Sequence, residues 1–538
     1  MRLIFMLLLL SGALTSGSLW PATARAEAPP AFNGTHISVT AATGTGEWLD
    51  GAFFGGNLVF SVNTESGLPL DNFGAAADAL DISHLRFPAG QGDSGDLEED
   101  GDGFLNILQM KRSDGAWVLR QELTDMLDWA RENGAQVTLV LPTKNYSVAE
   151  FEALDDDIAR FAQTVMTDYS DVVEAFEIGN EYWSMGETAY GSKADVAAVA
   201  LARGMEDAGF GEEDQAAIIV QMASPFAGSE YHGSVDDRPY LQRVQDANRT
   251  IIAQLGTEAR EAIDGVVEHY YYNKTVTEFE GTSGEMNFID RDYAVWDEAF
   301  DKDLDLYITE WNVRTSDTTE TGLRSASVLV EMVARMNALG VDAAHVWPVQ
   351  HNTPTDLAGK QHEEVITDAE GRVLNTINGA TFDLMSSSLP GLELLDTDLS
   401  IEDGSFTFHA WQSEDSTVVY VASRATDTIE LELDLGALVP GYTSASAVKI
   451  GADVSANSSD GVHYVPGEGF QEADSLLVNG QRYSINENDV RAELTDIAVN
   501  STTVQVTLDP FEVIEISFDT SGSGGAAPEP GTSDEGAL

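Results

Sequence analysis

The chain has 538 residues, of which 91 are acidic and 27 basic, so its formal net charge is −64 at pH 7. This balance excludes a nucleic-acid-binding protein and a polybasic membrane-surface protein, because no basic surface is available for phosphates or anionic lipids. High net charge is also typical of disordered chains, but 43% hydrophobic residues predict a packed core, and the lack of cysteine excludes disulfides, thiolate metal sites and a cysteine nucleophile.

The N-terminus has the pattern of a secretory signal peptide, predicted over residues 1–26. Arg2 precedes the apolar run 3–10, and small residues follow as far as Ala26. We therefore expect a mature protein that starts near Glu27 and is secreted or periplasmic. A membrane partner is not expected, because no later segment contains about 18 uninterrupted apolar residues.

Residues 50–388 alternate short apolar runs with segments of helical periodicity. The apolar runs have the length of buried strands and lack a two-residue alternation, as is typical of parallel strands covered on both faces. Eight such runs predict a (β/α)8 TIM barrel. An open doubly wound sheet is the alternative, which the lack of a glycine-rich phosphate loop weakens. The runs are 51–60, 82–88, 136–142, 172–179, 216–222, 265–272, 304–311 and 341–348.

Two helices of this region have predicted starts. Ser147 with Glu150 indicates a capping box for a helix that runs to about Tyr169. Ser192 with Asp195 is a weaker variant of the same pattern and predicts the start of the next helix. Both patterns place a side-chain acceptor where the first turn of a helix leaves backbone N–H groups without partners.

The pattern of the sequence changes after the barrel region. Residues 389–520 carry short runs of alternating polar and apolar residues, separated by Gly, Asp, Asn and Ser, which predict an antiparallel β-sandwich. One hypothesis is that the N-terminal segment 27–49 contributes a strand, at 34–48, to this sandwich. Residues 521–538 form a polar tail rich in Gly, Pro and Ser that we predict to be disordered.

Two predicted barrel strands end in glutamates. Strand 4 ends with Asn180 and Glu181, and strand 7 ends with Glu310. Working residues of this fold lie at the C-terminal ends of the strands, and strands 4 and 7 lie nearly across the barrel, so the two carboxylates can converge. A retaining glycosidase needs such a pair roughly 5 Å apart, one as nucleophile and one as general acid/base.

Three tryptophans at strand ends are candidate substrate-binding residues. Trp183 and Trp311 follow the two glutamates, and Trp347 ends the eighth predicted strand. Aromatic rings suit the apolar faces of sugars, but each tryptophan could also be a core residue at the barrel rim. In so acidic a chain a single strand-end glutamate could be merely solvated, so the prediction depends on the combination of residues.

Four short motifs resemble the clan A retaining glycoside hydrolases. They are LRFPAG at 85–90, EIGNEYW at 177–183, EHYYYN at 268–273 and ITEWNV at 308–313. Together they are most similar to the α-L-arabinofuranosidase branch and its β-xylosidase and heparanase-like relatives. The resemblance implies a barrel followed by a β-sandwich. One departure is Ala89, where the family usually has the first of two glycines after the proline.

The resemblance implies roles for the residues at the end of strand 4 and for its partner. Glu181 would be the general acid/base and Glu310 the nucleophile. Asn180 would bind the sugar 2-hydroxyl, a contact that strengthens in the transition state. A dry, apolar setting is then expected to raise the pKa of Glu181, so that two carboxyl groups with separated pKa values share the site.

Three further residues are implied by the resemblance to bind substrate or to support the glutamates. Arg86 and Tyr271 would hold Glu310 ionised and oriented. His269, two residues before Tyr271, would line the same pocket near Glu181. A cationic arginine beside a carboxylate favours the charged form of that carboxylate, which agrees with the implied role of Arg86.

An acidic loop follows the second predicted strand. Asp96, Asp100 and Asp102 alternate with glycines and are candidate ligands of a structural Ca²⁺ ion. The loop departs from the EF-hand pattern, because Ile107 stands where the twelfth-position glutamate would be. The alternative is a flexible acidic loop on an acidic surface. Apart from this ion, the expected chemistry requires no cofactor.

Taken together, these features predict a secreted retaining glycoside hydrolase that cleaves O-glycosidic bonds of a plant or marine polysaccharide or oligosaccharide by double displacement. The expected partner is the carbohydrate substrate, and a neutral glycan is favoured because the net charge repels polyanions. The main alternative is a non-catalytic carbohydrate-binding or surface-adhesion protein built on the same barrel. A metal-dependent barrel hydrolase is a third hypothesis.

Overall fold

Eight parallel strands close into a barrel in the computed structural model of the chain. The structure describes residues 32–90, 109–111, 116–144, 146–211, 214–224, 228–272, 286–314, 322–402, 404–453, 462–465, 469–472, 475–478, 481–484 and 490–520. The calcium ligands predicted at Asp96, Asp100 and Asp102 lie outside these residues. Within the described ranges, no helix has the length and apolar character that a membrane crossing needs.

The barrel strands follow the chain order of the predicted apolar runs. They are called barrel strands 1 to 8 and span Gly55–Asn57, His84–Phe87, Gln136–Leu141, Val173–Ile178, Ala217–Gln221, Gly265–Tyr272, Asp305–Val313 and Ala343–Val346. Strand 8 pairs with strand 1 through His345 and Gly55, which closes the ring. The predicted TIM barrel is therefore confirmed, and the open doubly wound sheet is wrong.

Helices cover the outside of the barrel, and most of the apolar core lies between them and the strands. Inside the barrel, Ala175, Ile219 and Val267 form a small separate cluster. The described α-helices are Phe60–Asn63, Asp71–Ala79, Gln121–Asn133, Val148–Glu152, Asp155–Tyr169, Glu187–Asp207, Tyr240–Ile252, Thr257–Ala262, Asn287–Asp297, Leu323–Ala338 and Ile377–Ser388, with 3-10 turns at Gly51–Phe54 and Tyr182–Ser184.

The two predicted helix starts have different outcomes. Ser147 makes the capping box, but its helix ends at Glu152 and a second one runs over Asp155–Tyr169. The start predicted at Ser192 is wrong, because the next helix already begins at Glu187. The Ser192 hydroxyl instead donates to the carbonyl four residues earlier, a local bond that serine also makes inside helices.

The N-terminal strand and the C-terminal strands form a second, mostly antiparallel sheet around a core of its own. Thr35–Trp48 pairs antiparallel with Glu393–Leu399, and its first residues pair parallel with Ile429–Asp434. The predicted sandwich fold is confirmed. Its other strands are Phe406–Gln412, Ser416–Ser423, Ser444–Ala452, Ala492–Ile497, Thr503–Leu508 and Val513–Asp519.

Short hairpins accompany the two main sheets. Each consists of two antiparallel strands outside the barrel and the nine-stranded sheet. The pairs are Thr64–Glu65 with Leu68–Pro69, Gln109–Lys111 with Trp117–Leu119, Val462–Val465 with Gly469–Glu472, and Ser475–Val478 with Gln481–Ser484.

A buried polar contact attaches the sandwich to the barrel helix Leu323–Ala338. Glu331 of this helix accepts hydrogen bonds from Arg424 at 2.8 Å and from His409 at 2.9 Å, both of which belong to the sandwich. The indole of Trp411 donates to Asn337 of the same helix at 3.0 Å. Because these groups are shielded from water, the two units are held in one fixed arrangement.

Two carboxyl groups are buried on the outer side of barrel strand 6. Asp292 has no exposed surface, and neither of its carboxyl oxygens has a hydrogen-bond partner among the described residues. Burial and the nearby Glu268 raise the pKa of Asp292 to about 9. Burial also raises the pKa of Glu268 to about 8. In the unfolded chain both groups titrate near pH 4.

Stability is therefore expected to fall as the pH rises from about 4 to about 9, because the folded state keeps two protons that the unfolded chain releases. Replacing Asp292 with asparagine removes one of them. Because each pH unit between the unfolded and folded pKa costs about 1.4 kcal/mol, we expect the free energy of unfolding to rise by several kcal/mol at pH 9 relative to the wild type, and by about 1 kcal/mol at pH 5. Urea unfolding at both pH values measures the difference. Asp297→Asn, which changes an exposed residue of the same helix, is the control. The prediction would be contradicted if the free energy of unfolding of Asp292→Asn differed from that of the wild type by the same amount at both pH values.

Candidate active site

The C-terminal ends of barrel strands 4 and 7 bring two glutamates together. Glu310 is 7% exposed within strand 7, and the half-buried Glu181 follows strand 4 by three residues. A carboxylate oxygen of Glu181 lies within 4.8 Å of one of Glu310. Retaining glycosidases need carboxyl groups about 5–5.5 Å apart, whereas inverting enzymes need about 6.5–9.5 Å to hold a water between them. The spacing therefore suits direct attack by one carboxylate.

The backbone after strand 4 turns sharply to present these residues. Glu181 has φ of 44° and ψ of 59°, in the left-handed region that non-glycine residues seldom adopt. Gly179 has φ of 81°, and a Cβ there would lie 2.6 Å from the Thr143 hydroxyl oxygen. Strain of this kind persists where the surrounding structure enforces it, and it is frequent at functional sites. Only glycine fits at position 179.

Both carboxylate oxygens of Glu310 accept hydrogen bonds. The Nη1 of Arg86 donates to Oε1 at 2.6 Å, and the Tyr271 hydroxyl donates to Oε2 at 2.7 Å. Arg86 is fully buried on barrel strand 2. Charge-assisted bonds in such a setting stabilise the ionised carboxylate and fix its orientation. Arg86 and Tyr271 therefore both lie against the Glu310 carboxylate, and the roles that the resemblance implied for them stay predictions.

Arg86 has three further partners, two of which the sequence analysis missed. Its Nη2 donates to Asn180 Oδ1 at 2.7 Å, and its Nη1 to Asn57 Oδ1 at 3.0 Å. Glu177 accepts from Nε at 2.6 Å and from Nη2 at 2.8 Å. A signal for Glu177 was present in the sequence, because a charged residue inside a buried strand needs a partner of opposite charge. No comparable signal identified Asn57.

His269 lies between three carboxylates. Its Nδ1 is 3.6 Å from Glu181 Oε1 and 3.7 Å from Glu310 Oε2, and its Nε2 is 3.7 Å from Glu177 Oε1. Only 2% of its side chain is exposed. Burial disfavours the charged imidazole, but the carboxylates prevail and raise the pKa of His269 to about 10. The ring is therefore an imidazolium at neutral pH.

The expectation that the pKa of Glu181 would be raised is wrong for this structure. Burial does act in that direction, but His269, Lys144 and Arg86 supply positive charge that outweighs it, so the pKa of Glu181 is lowered. The sequence could place His269 near Glu181 but could not show that its ring would be charged. The Glu181 carboxyl group is therefore expected to be protonated only under acidic conditions.

Replacing His269 with asparagine is expected to shift the pH profile of kcat/KM. The alkaline limb of such a profile reports loss of the proton from the general acid of the free enzyme, the role that the sequence resemblance implies for Glu181. Removal of the cation raises the pKa of Glu181, so the limb should move to higher pH by about one unit, since a nearby opposite charge shifts a pKa by 1–3 units. Initial rates between pH 3 and 8 measure it.

A matched variant controls for the loss of a histidine. His232 lies in an exposed loop, where its ring contacts Ser234, so His232→Asn should leave the limb in place. A limb at its wild-type position in His269→Asn, or one displaced to lower pH, would contradict the assigned charge of His269.

The three candidate tryptophans differ in position. Trp347 is half-buried and packs edge-on against Tyr271, with ring centroids 6.0 Å apart. It therefore lies next to the tyrosine whose hydroxyl donates to Glu310. Trp183 is half-buried and packs against Tyr182. The prediction that Trp311 binds substrate is wrong, because its side chain is fully buried in the core. Adjacent residues of a strand point to opposite faces, so Trp311 points away from the mouth that Glu310 faces.

A metal ion has one candidate position among the described residues. Glu181, His269 and Glu310 each offer a ligand atom, and these atoms lie within 4.8 Å of one another. A metal ion bound there would have to replace the proton of His269, and Arg86 already neutralises Glu310. The donor set therefore fits acid/base chemistry better than metal chemistry.

The chain was compared with protein families and known proteins. No family model matches the sequence, and no curated protein does. Solved structures that share the fold include the family 51 α-L-arabinofuranosidase AbfB from Bifidobacterium longum, the bifunctional glucanase-xylanase CelM2 from a metagenome library, and a monomeric β-xylosidase from Caulobacter crescentus CB15.

The agreement with these structures extends over nearly the whole length of both chains. AbfB matches at a TM-score of 0.54 and 14% identity, covering 90% of this chain and 99% of its own. CelM2 matches at a TM-score of 0.53 and 11% identity, covering 91% of this chain and 99% of its own. The xylosidase matches at a TM-score of 0.51 and 13% identity, covering 90% of this chain and 100% of its own. At this identity the likeness shows the fold alone, which is a barrel with a β-sandwich.

Proposed function

We propose that the protein is a retaining glycoside hydrolase that cleaves O-glycosidic bonds by double displacement. The observation that carries the proposal is the pair Glu181 and Glu310, whose oxygens come within 4.8 Å at the mouth of the barrel. Arg86 and Tyr271 donate hydrogen bonds to the two carboxylate oxygens of the second glutamate, and the first is open to the cleft with 39% of its side chain exposed. The shared fold supports the same conclusion.

In the first step Glu310 attacks the anomeric carbon while Glu181 gives its proton to the departing oxygen. The glycosidic bond breaks, and a covalent glycosyl ester forms on Glu310. In the second step Glu181, now ionised, takes a proton from water, whose oxygen displaces Glu310 at the same carbon. Two inversions give net retention. Asn180, with its carbonyl oxygen held by Arg86, has its amide oriented to donate to the sugar 2-hydroxyl.

A neutral plant or marine glycan is the substrate class that we favour. The net charge of −64 would repel a polyanionic polymer from the surface. The named activities of AbfB, CelM2 and the xylosidase concern arabinofuranosides, glucans and xylans, which support a neutral sugar. We further propose that the protein acts outside the cytoplasm, because residues 1–26 have the pattern of a secretory signal.

Turnover of a panel of aryl glycosides and polysaccharides tests this function. The panel contains α-L-arabinofuranosides, β-D-xylosides, β-D-glucosides, xylan and glucan, and NMR follows the anomer that is released first. We expect at least one substrate to be cleaved with the original anomeric configuration in the first product. First release of the inverted anomer would contradict the retaining mechanism.

The alternatives predict different results in the same assay. A non-catalytic carbohydrate-binding protein would bind glycans and cleave none of them. A metal-dependent hydrolase using Glu181, His269 and Glu310 as ligands would lose its activity on dialysis against EDTA. We expect activity that EDTA does not change, because Arg86 and the imidazolium of His269 already supply the positive charge at the site.

A further inference from the structure

Glu177 lies four residues before Glu181 and has no exposed surface. It belongs to barrel strand 4 and reaches the barrel interior, where its two oxygens face different nitrogens of Arg86. The Arg86 Nε donates to Oε2 at 2.6 Å, and Nη2 donates to Oε1 at 2.8 Å. This bidentate contact fixes both the position and the plane of the guanidinium group.

The contact with Glu177 completes the hydrogen bonding of Arg86. A guanidinium group has five N–H donors. In the structure two go to Glu177, one goes to Asn180, and the remaining two go to Asn57 and Glu310. No donor of Arg86 can turn to another acceptor without breaking one of these bonds. The contact between Arg86 and Glu310 is therefore set in part by Glu177.

Glu177 also contacts the second cation of the site. Its Oε1 lies 3.7 Å from Nε2 of His269, on the side of the ring opposite to Glu181 and Glu310. The hydrogen bond of this nitrogen is made with the Thr309 hydroxyl at 3.1 Å, so Glu177 acts on the ring through its charge. The ring and Arg86 thus share one carboxylate at the base of the site. Another buried histidine, His345, adds no charge there, since burial lowers its pKa to about 3.

We propose that Glu177 is a positioning residue that holds Arg86 in place against Glu310, and that its charge offsets those of Arg86 and His269 so that Glu181 can keep its proton. This inference depends on the proposed glycosidase function. With Glu177 present, the charges of Arg86 and His269 are offset by those of Glu177 and Glu310, and Lys144 adds further positive charge near Glu181. Without the charge of Glu177, the excess of positive charge is larger and favours the ionised form of Glu181.

Replacing Glu177 with glutamine tests the proposal through two measurements. Lys144, Arg86 and His269 then act on Glu181 with less opposing charge, so the alkaline limb of kcat/KM should move to lower pH by about one unit. The value of kcat/KM should fall by roughly 10²-fold, as small misplacements of catalytic groups cause. The His269 ring, followed by NMR, should lose its proton about one pH unit earlier than in the wild type.

Two further variants separate charge from shape. Glu177→Asp keeps the charge, so its limb and its His269 titration should stay near the wild-type positions even where its rate is reduced. Glu174→Gln makes the same chemical change in the first half of the same strand, where the side chain contacts Thr138 and His84, and it should leave kcat/KM within about twofold.

Each outcome decides the proposal. A Glu177→Gln protein with wild-type rate, or one with a reduced rate but an unshifted limb and an unshifted His269 titration, would overturn it. If Glu177→Gln does not fold, the test is made with Glu177→Asp. A shift of the alkaline limb of kcat/KM in that variant, or a shift of its His269 titration, would overturn the proposal. Should no glycoside be cleaved by the wild type, the proposed function fails, but the NMR titration still tests whether the charge of Glu177 acts on His269.

Discussion

Glu310→Ala is expected to lower kcat/KM by roughly 10⁴–10⁶-fold, as loss of a nucleophile does in other covalent enzymes. Alanine leaves no oxygen that could form the glycosyl ester. It also leaves the Nη1 of Arg86 and the hydroxyl of Tyr271 without the carboxylate to which both donate in the wild type. Steady-state kinetics with the best aryl glycoside of the panel measures the loss.

Sodium azide should restore part of the activity of this variant. The space vacated by the Glu310 carboxylate is lined by two donors, one of them cationic, which suits a small anion. Azide bound there attacks the anomeric carbon from the side that Glu310 used, so the product is a glycosyl azide of inverted configuration. Glu298→Ala, which removes an exposed glutamate outside the site, is the control. More than a tenth of the wild-type rate in Glu310→Ala would contradict its role.

The barrel could be predicted because its strands are strongly marked in the sequence. Eight apolar runs of strand length, covered on both faces, alternate with amphipathic helices, and that order fits few folds. The details at helix ends were less predictable. Ser147 and Ser192 have similar neighbours, yet only Ser147 caps a helix, since the choice depends on tertiary contacts that a local pattern does not contain.

Part of the site could be predicted from strand ends alone. Glu181 and Glu310 stand at positions where this fold collects its working residues, and the structure brings them together. The substrate-binding role predicted for Trp311 is wrong because the strand continues through Val313. Successive side chains of a strand point to opposite faces, so Trp311, directly after Glu310, points into the core. The charge of His269 could not be predicted, because it results from three carboxylates that come from two different strands and the turn after one of them.

The loss in Glu181→Ala is expected to depend on the leaving group. Kcat/KM for a phenyl glycoside should fall by roughly 10²–10⁴-fold, the usual contribution of a general acid. A dinitrophenyl glycoside needs no proton to depart, so its kcat/KM should stay within about tenfold, the loss then lying mainly in the second step. The alkaline limb of the pH profile should disappear with the carboxyl group. An equal loss for both substrates would contradict the acid role.

Azide applied to Glu181→Ala should give a product opposite to that of Glu310→Ala. In this variant the ester on Glu310 still forms, and azide can enter where Glu181 activates water in the wild type. It then displaces Glu310 in a second inversion, and the glycosyl azide has the configuration of the substrate. The two variants therefore yield opposite anomers from one substrate. If the anomers were exchanged, Glu181 would be the nucleophile, and the bonds that Arg86 and Tyr271 make to Glu310 would be holding the acid/base instead.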